Sequence, residues 1–321
     1  MKESSLIFII SQPRSGSSLL QQILHSNEAI VSSPEPWQML PLIYTYKKNS
    51  ITSAYNPYFA VENFTRYLEE TENGIEKYKN TVKQLALNLY KDKIGNHQYF
   101  LDKTPRYYHI INELIDIFPK AKFIFLVRNP LAVFASILDY NFKGDYKTFL
   151  KSEDRIDDLF LAPKLIEVGI GAKQNSITIK YEDLINNTEE TLSKISSYLS
   201  LDTPLQMNYQ LQGKFTNSLH LDTKSLDKHS KPVDSYINSW KKTINTTQKK
   251  KLALDYLRIL KENGSSYYDL EAIEKDLINY VPNKKKKVTI PLDFLMKKEE
   301  NLSIFQLIKK RVLIKLQSKI S

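Results

Sequence analysis

The chain contains no cysteine, which excludes disulfide scaffolding, thiolate catalysis and cysteine-ligated metals. Five histidines in 321 residues make an all-protein zinc site a poor expectation. Glycine is also scarce, with eight residues, so there is no glycine-rich linker and each glycine calls for a reason. No apolar run reaches the length of a membrane span, and MKESS is followed only by LIFII, which reads as a first strand rather than a signal peptide. These absences lead us to expect a soluble, cytoplasmic protein, with 41% hydrophobic content to build its core.

Cations outnumber acids by ten, a surplus that suggests nucleic acid until its location is considered. Residues 282–321 hold eleven Lys and Arg against three acids, so +8 of the surplus belongs to this segment and +2 to everything before it. A nearly neutral body argues against a nucleic-acid-binding face. Within the segment, Leu302, Phe305, Leu307, Ile308, Val312, Leu316 and Ile320 share a broad apolar side flanked by Lys309, Lys310, Arg311, Lys315 and Lys319. Such a basic amphipathic helix suits peripheral contact with an anionic membrane, or docking on its own domain or a second subunit. We therefore divide the chain into a domain over 1–281 and a basic tail over 282–321.

Strand-like and helix-like segments alternate along the domain. LIFII (6–10) and KFIFLV (122–127) are continuous apolar runs of the kind buried on both faces of a parallel sheet. Each is followed by a helical pattern: Leu19, Leu20, Ile23 and Leu24 after the first, and LAVFASIL with Pro130 in its opening turn after the second. SITIKYEDL and TEETLSKISSYLSL (176–201) form a third such unit. YFLDKTPRYYHIINELIDIF (99–118) reads as a strand, a turn and a helix with Thr104 at its cap and Pro105 just inside. Residues 55–95 read as one or two helices inserted over the sheet, and the tyrosine-rich stretch 40–95 is expected to line a substrate pocket. The fold class that follows is three-layer α/β with a central, mostly parallel sheet and helical insertions.

The stretch SQPRSGSSLL (11–20) places small residues between strand and helix, where backbone N–H groups and a helix N-terminus receive phosphate. Gly16 permits close approach, Ser17 and Ser18 bring hydroxyls, and Arg14 brings a fork matched to phosphate oxygens. The loop has one glycine and no lysine before its serines, which disfavours an ordinary ATP or GTP hydrolase. The second unit repeats the theme: Arg128 ends a strand, and Ser136 follows eight residues later inside the helix. In an open parallel sheet both loops line one crevice, so two anionic groups are implied. For Arg128, a buried ion pair is the plainer alternative.

QPRSGSSLL and VRNPLAVFASIL together resemble the two nucleotide motifs of the sulfotransferases that use 3′-phosphoadenosine-5′-phosphosulfate (PAPS). The resemblance follows the element order of residues 6–245, and its specificity resides in a few short blocks. It implies a P-loop-like fold in which Arg14, Ser15, Gly16, Ser17 and Ser18 hold the 5′-phosphosulfate, while Arg128 and Ser136 hold the 3′-phosphate. Tyr181 in KYEDL matches a tyrosine that contacts the adenosine in the bacterial and protein-tyrosine branches. KHSKPVDSYINSWKK (228–242) resembles the segment that closes over the donor, with Ser230 or Lys231 near a phosphate and Trp240 as a packing residue.

Sulfuryl transfer asks for aligned reactants, charge stabilisation on the leaving phosphate and a base for the acceptor hydroxyl. Glu35, among Pro34, Pro36 and Trp37, stands in an apolar setting of the kind that tunes a carboxylate for proton transfer, and it matches the glutamate base of the protein-tyrosine branch. A turn-capping role is its plain alternative. His97 and His109 lack a recognisable surrounding motif and rank below it. Lys103 in LDKTPRYY resembles the family's lysine that assists the leaving oxygen. Asp102 is equally consistent with a structural network to Lys103 or Arg106, and Arg106 and Tyr107 are candidates to face the acceptor. With cationic side chains carrying the charge, no metal ion is required. The expectation is PAPS as co-substrate and a carbohydrate or other metabolite hydroxyl as acceptor, with a tyrosine-bearing peptide as runner-up. Rival readings are a phosphotransferase of the same fold and a non-catalytic nucleotide-binding protein.

Overall fold

The computed structural model describes residues 1–47, 57–152, 155–206 and 237–280. The basic tail, Ser230 and Lys231 lie outside the described residues. Among the described residues, five strands form one all-parallel sheet in the order β2-β3-β1-β4-β5. They are β1 (Leu6–Ser11), β2 (Ile30–Ser32), β3 (Tyr99–Lys103), β4 (Lys122–Val127) and β5 (Ser176–Lys180). The two apolar runs that read as buried strands are β1 and β4, and the strand of the third strand–helix unit is β5, in register with Phe8 beside Phe123 and Ile124 beside Ile177. The edge strand β2 is only three residues long, and IVS is too short to show a period in the sequence.

Alternation along β1 sends Leu6, Phe8 and Ile10 to one face and Ile7 and Ile9 to the other. On the first face they meet Tyr90 of α4 (Gly74–Ile94), Leu114 of α5 (Ile111–Ile117) and Ile166 of α8 (Ala162–Ala172). On the second they meet Leu20 and Leu24 of α1 (Ser17–His25), Leu184 of α9 (Tyr181–Asn186) and Ile195 of α10 (Thr188–Leu199). Helices therefore cover both faces, as a sheet of continuous apolar strands requires. A further cluster joins Leu131 and Phe134 of α6 (Pro130–Phe142) to Leu252 and Tyr256 of the helix Thr247–Glu262, with Trp240 fully buried among them as a packing residue.

The insert expected over 55–95 is two helices, α3 (Pro57–Glu70) and α4, of which α4 lies against β2 and β3. The short α2 (Met39–Tyr44) precedes them, and α7 (Tyr146–Lys151) and a π-helical turn, Asp157–Leu161, lie between α6 and α8. Thr104 does not cap a helix: Tyr107–Ile110 forms a 3-10 turn before α5, and the Thr104 hydroxyl bonds Asp102 instead. Because β1 has β3 on one flank and β4 on the other, the chain reverses its winding there, and a crevice opens at the carboxyl ends of these strands. No helix among the described residues is long and apolar enough to cross a membrane.

Candidate active site

The loop leaving β1 carries two left-handed residues, Arg14 with φ 72° and Gly16 with φ 90°. Glycine is required at 16 twice over, since a Cβ there would also sit 2.5 Å from the Tyr181 ring. No side chain caps the helix α1 that follows, so its leading N–H groups face the loop at the positive end of the helix dipole. Ser15 is fully buried, and its hydroxyl has no hydrogen-bond partner among the described residues. A buried hydroxyl left this way, under a cradle only glycine allows, fits an anionic ligand that accepts from it.

Arg128 follows β4 directly. Asn129 then caps α6 by accepting from Leu131 N at 2.9 Å, with Pro130 in the first turn. The Arg128 guanidinium lies 4.3 Å from the centroid of the Tyr181 ring and donates to Arg14 O at 2.9 Å. Burial lowers its pKa, against the opposing influence of Tyr181 and Glu182. Glu182 accepts from Asn129 N at 3.0 Å and from the Tyr268 hydroxyl, which steadies the turn after Arg128. Arg14 reaches the other way: its Nε donates to Ser136 Oγ at 3.1 Å, and its guanidinium sits 4.2 Å from the Tyr140 ring centroid. Residues expected to serve two separate phosphates, Arg14 with Gly16 and Arg128 with Ser136, thus form one interlocked cluster around Tyr181.

Lys103 ends β3 with its side chain 1% exposed, and its ammonium donates to Glu35 Oε1 at 2.6 Å and to Ser18 Oγ at 3.3 Å. Burial pushes the Lys103 pKa down, and the Glu35 carboxylate acts in the opposite direction. Glu35, 8% exposed, therefore does not stand in a purely apolar setting among the prolines; an ammonium is its partner. Gln21 of α1 anchors the approach to Glu35 by donating to Ser32 Oγ at 2.8 Å and Ser33 O at 2.9 Å. Through Ser18 the ion pair is continuous with the N-terminal end of α1.

Asp102 pairs with neither Lys103 nor Arg106 directly. It accepts from the hydroxyls of Tyr90, Tyr107 and Thr104. Arg106 instead pairs with Asp158 at 2.9 Å, and Tyr107 is fully buried rather than turned to the crevice. His97 is exposed, ahead of β3 at the opposite end of the sheet, where Nδ1 contacts Glu28 O. His109 is half-buried in the 3-10 turn, and burial lowers its pKa.

Asp158, on the π-helical turn, is an acid that no sequence motif singles out. It is fully buried and accepts from Tyr108 Oη at 2.8 Å, while its backbone oxygen accepts from Gln12 Nε2 at 2.7 Å. It thereby ties the β1 loop to the segment after β3. The usable signal was an acid inside the apolar pattern of Ile156, Leu159 and Phe160. Three of the six non-glycine residues with positive φ among those described, Arg14, Trp37 and Arg155, cluster on these loops, where backbone strain commonly marks function.

A family model described as the sulfotransferase family matches residues 6–204. The nodulation protein NoeE of Sinorhizobium fredii is 26% identical over 147 residues, 41% of this chain and 30% of that protein. A protein-tyrosine sulfotransferase of Drosophila melanogaster is 22% identical over 206 residues, 62% of this chain and 39% of the other. The chain thus spans well under half the length of these curated relatives. Among solved structures, the sulfotransferase domain from the curacin biosynthetic pathway shares the fold at a TM-score of 0.54 and 23% identity, over 81% of this chain and 97% of that one. The sulfotransferase domain of the Synechococcus PCC 7002 olefin synthase does so at 0.50 and 19%, over 82% and 95%. All five strands, both arginine loops and the Glu35–Lys103 pair fall inside the matched span, and the chain belongs to the sulfotransferase family.

Proposed function

We propose that this protein transfers a sulfuryl group from PAPS to an acceptor hydroxyl, with Glu35 as base and Lys103 assisting the leaving oxygen. The observation that carries the proposal is the joining of two arginine loops around Tyr181 to a buried Lys103–Glu35 pair through Ser18. The donor, when bound, supplies the sulfuryl group, whose bond to phosphate oxygen breaks as the bond to the acceptor oxygen forms. Ser15, Gly16, Ser17 and Ser18 cradle the 5′ end with backbone N–H groups and hydroxyls; the buried, unsatisfied Ser15 Oγ fits that role. Arg128 and Ser136 take the 3′-phosphate. Arg14 already bonds Ser136 in the protein alone and supplies charge to both ends of the donor site. Tyr181 presents its ring to the nucleoside.

Glu35 accepts the proton from the acceptor oxygen, and Lys103 neutralises charge on the departing phosphate. Their contact at 2.6 Å supports this reading, since it brings a proton acceptor and an ammonium to one place beside the N-terminus of α1. We favour a carbohydrate or other metabolite hydroxyl as acceptor, approached over the insert α3–α4. The likeness to a protein-tyrosine sulfotransferase supports a peptide tyrosine as the second reading.

Calorimetric titration with adenosine 3′,5′-bisphosphate, ADP and AMP tests the donor. Binding is expected to require the 3′-phosphate and to weaken at least tenfold in Arg128→Ala. Equal affinity for ADP would overturn the proposal in favour of a phosphotransferase.

A further inference from the structure

Consecutive side chains of β3 point to opposite faces of the sheet. Lys103 faces α1 and its Ser18, whereas Asp102 faces α4 and its Tyr90. Asp102 is fully buried and accepts from Tyr90 Oη at 2.5 Å, Tyr107 Oη at 2.8 Å and Thr104 Oγ1 at 3.2 Å. A carboxyl in this place is costly to bury, and the reaction assigned above does not use it. Burial pushes its pKa up to about 6.

What Asp102 contributes is direction. Each hydroxyl has a single proton, and giving it to Asp102 leaves the hydroxyl oxygen as an acceptor. Thr104 Oγ1 then accepts from Trp37 N at 3.3 Å, and Tyr107 Oη accepts from Met39 N at 3.4 Å. These two amides stand two and four residues after Glu35. On its other side, Gln21 holds Ser33 O. The segment 33–39 is therefore pinned at both ends as it passes over the end of β3, and Trp37 is kept in its left-handed conformation, φ 56°.

We propose that Asp102 is a positioning residue for the Glu35–Lys103 pair, acting through the hydroxyls of Tyr107 and Thr104 on the Trp37 and Met39 amides. Its catalytic consequence rests on the reading of Glu35 as base; its structural consequence does not.

The test uses the full chain with Asp102→Asn and Tyr107→Phe, the second removing a single hydroxyl so that a folded variant is available should Asp102→Asn fail to fold. Amide hydrogen exchange is measured at Trp37 and Met39 and, for reference, at Ile124 and Leu126 in β4. Turnover is read as release of adenosine 3′,5′-bisphosphate from PAPS with water as acceptor. The proposal expects exchange at Met39 to rise about fivefold in Tyr107→Phe and at both amides in Asp102→Asn, beyond any change in β4, as loss of one hydrogen bond implies. It also expects kcat to fall at unchanged KM for PAPS, and this fall to disappear in a Glu35→Gln background. Exchange unchanged at 37 and 39, or raised uniformly across the sheet, would overturn it. If Glu35→Gln alone leaves turnover intact, the base assignment fails, while the exchange measurements still decide whether Asp102 positions the segment.

Discussion

Replacing Glu35 with Gln takes the carboxylate away from an ammonium whose side chain is 1% exposed, leaving Ser18 Oγ at 3.3 Å as the remaining side-chain contact on the α1 side. Removing one partner of a buried ion pair costs about 3–5 kcal/mol, because a desolvated charge is left behind. Ser18 Oγ still accepts from the ammonium, so we take the low end and expect Glu35→Gln to be about 3 kcal/mol less stable at pH 7. Burial already holds the Lys103 pKa below its ordinary value, and loss of Glu35 moves it further down. A lysine depressed in the folded state favours folding once the pH exceeds its unfolded pKa, and that contribution is lost as pH falls through the folded pKa. The deficit of Glu35→Gln is therefore larger at pH 7 than at pH 10. Urea unfolding of the wild type, Glu35→Gln, Lys103→Met and the double variant, at both pH values, measures this. The double variant should be more stable than the two single losses predict when summed, by more than about 1 kcal/mol. Additive single losses below about 1 kcal/mol, independent of pH, would refute the claim that the pair is a desolvated unit, since that is how exposed pairs behave.

Asp102 gives a pH dependence of the opposite kind. Its folded pKa of about 6 lies above the ordinary aspartate value of 3.8, so its contribution is fully present below pH 3.8 and is lost as pH rises through about 6. That loss amounts to roughly 3 kcal/mol; urea unfolding of wild type and Asp102→Asn should diverge by this much between pH 4 and 7, and parallel profiles would contradict the burial argument. Gly16→Ala should cost about 1–3 kcal/mol for its left-handed backbone alone. Its Cβ would also displace the Tyr181 ring from Arg128. Affinity for adenosine 3′,5′-bisphosphate should therefore fall with stability in that variant, and unchanged affinity would place Tyr181 outside the donor site.

The sequence alone determined the layers of this protein. Apolar runs at 6–10 and 122–127 can be satisfied only between two covering layers, and the amphipathic segments that follow them supply those layers. It also determined that Arg14 and Arg128 lie between a strand and the helix that follows it, because Gly16 and Pro130 punctuate the chain there. Lys103 and Glu35 were legible as candidates from short blocks resembling a known family. Which residues meet was decided by tertiary structure. Arg14 and Ser136 stand 122 positions apart, and Glu35 and Lys103 are 68 apart; periodicity assigns a residue to an element and a face, but not to a neighbouring strand. The strand order 2-3-1-4-5 brings those partners together. Asp158 and the aim of Asp102 stayed hidden because a buried carboxylate and a solvated one look alike in a sequence. Only the fold tells them apart, since burial and the hydroxyl partners that make it tolerable come from elements distant along the chain.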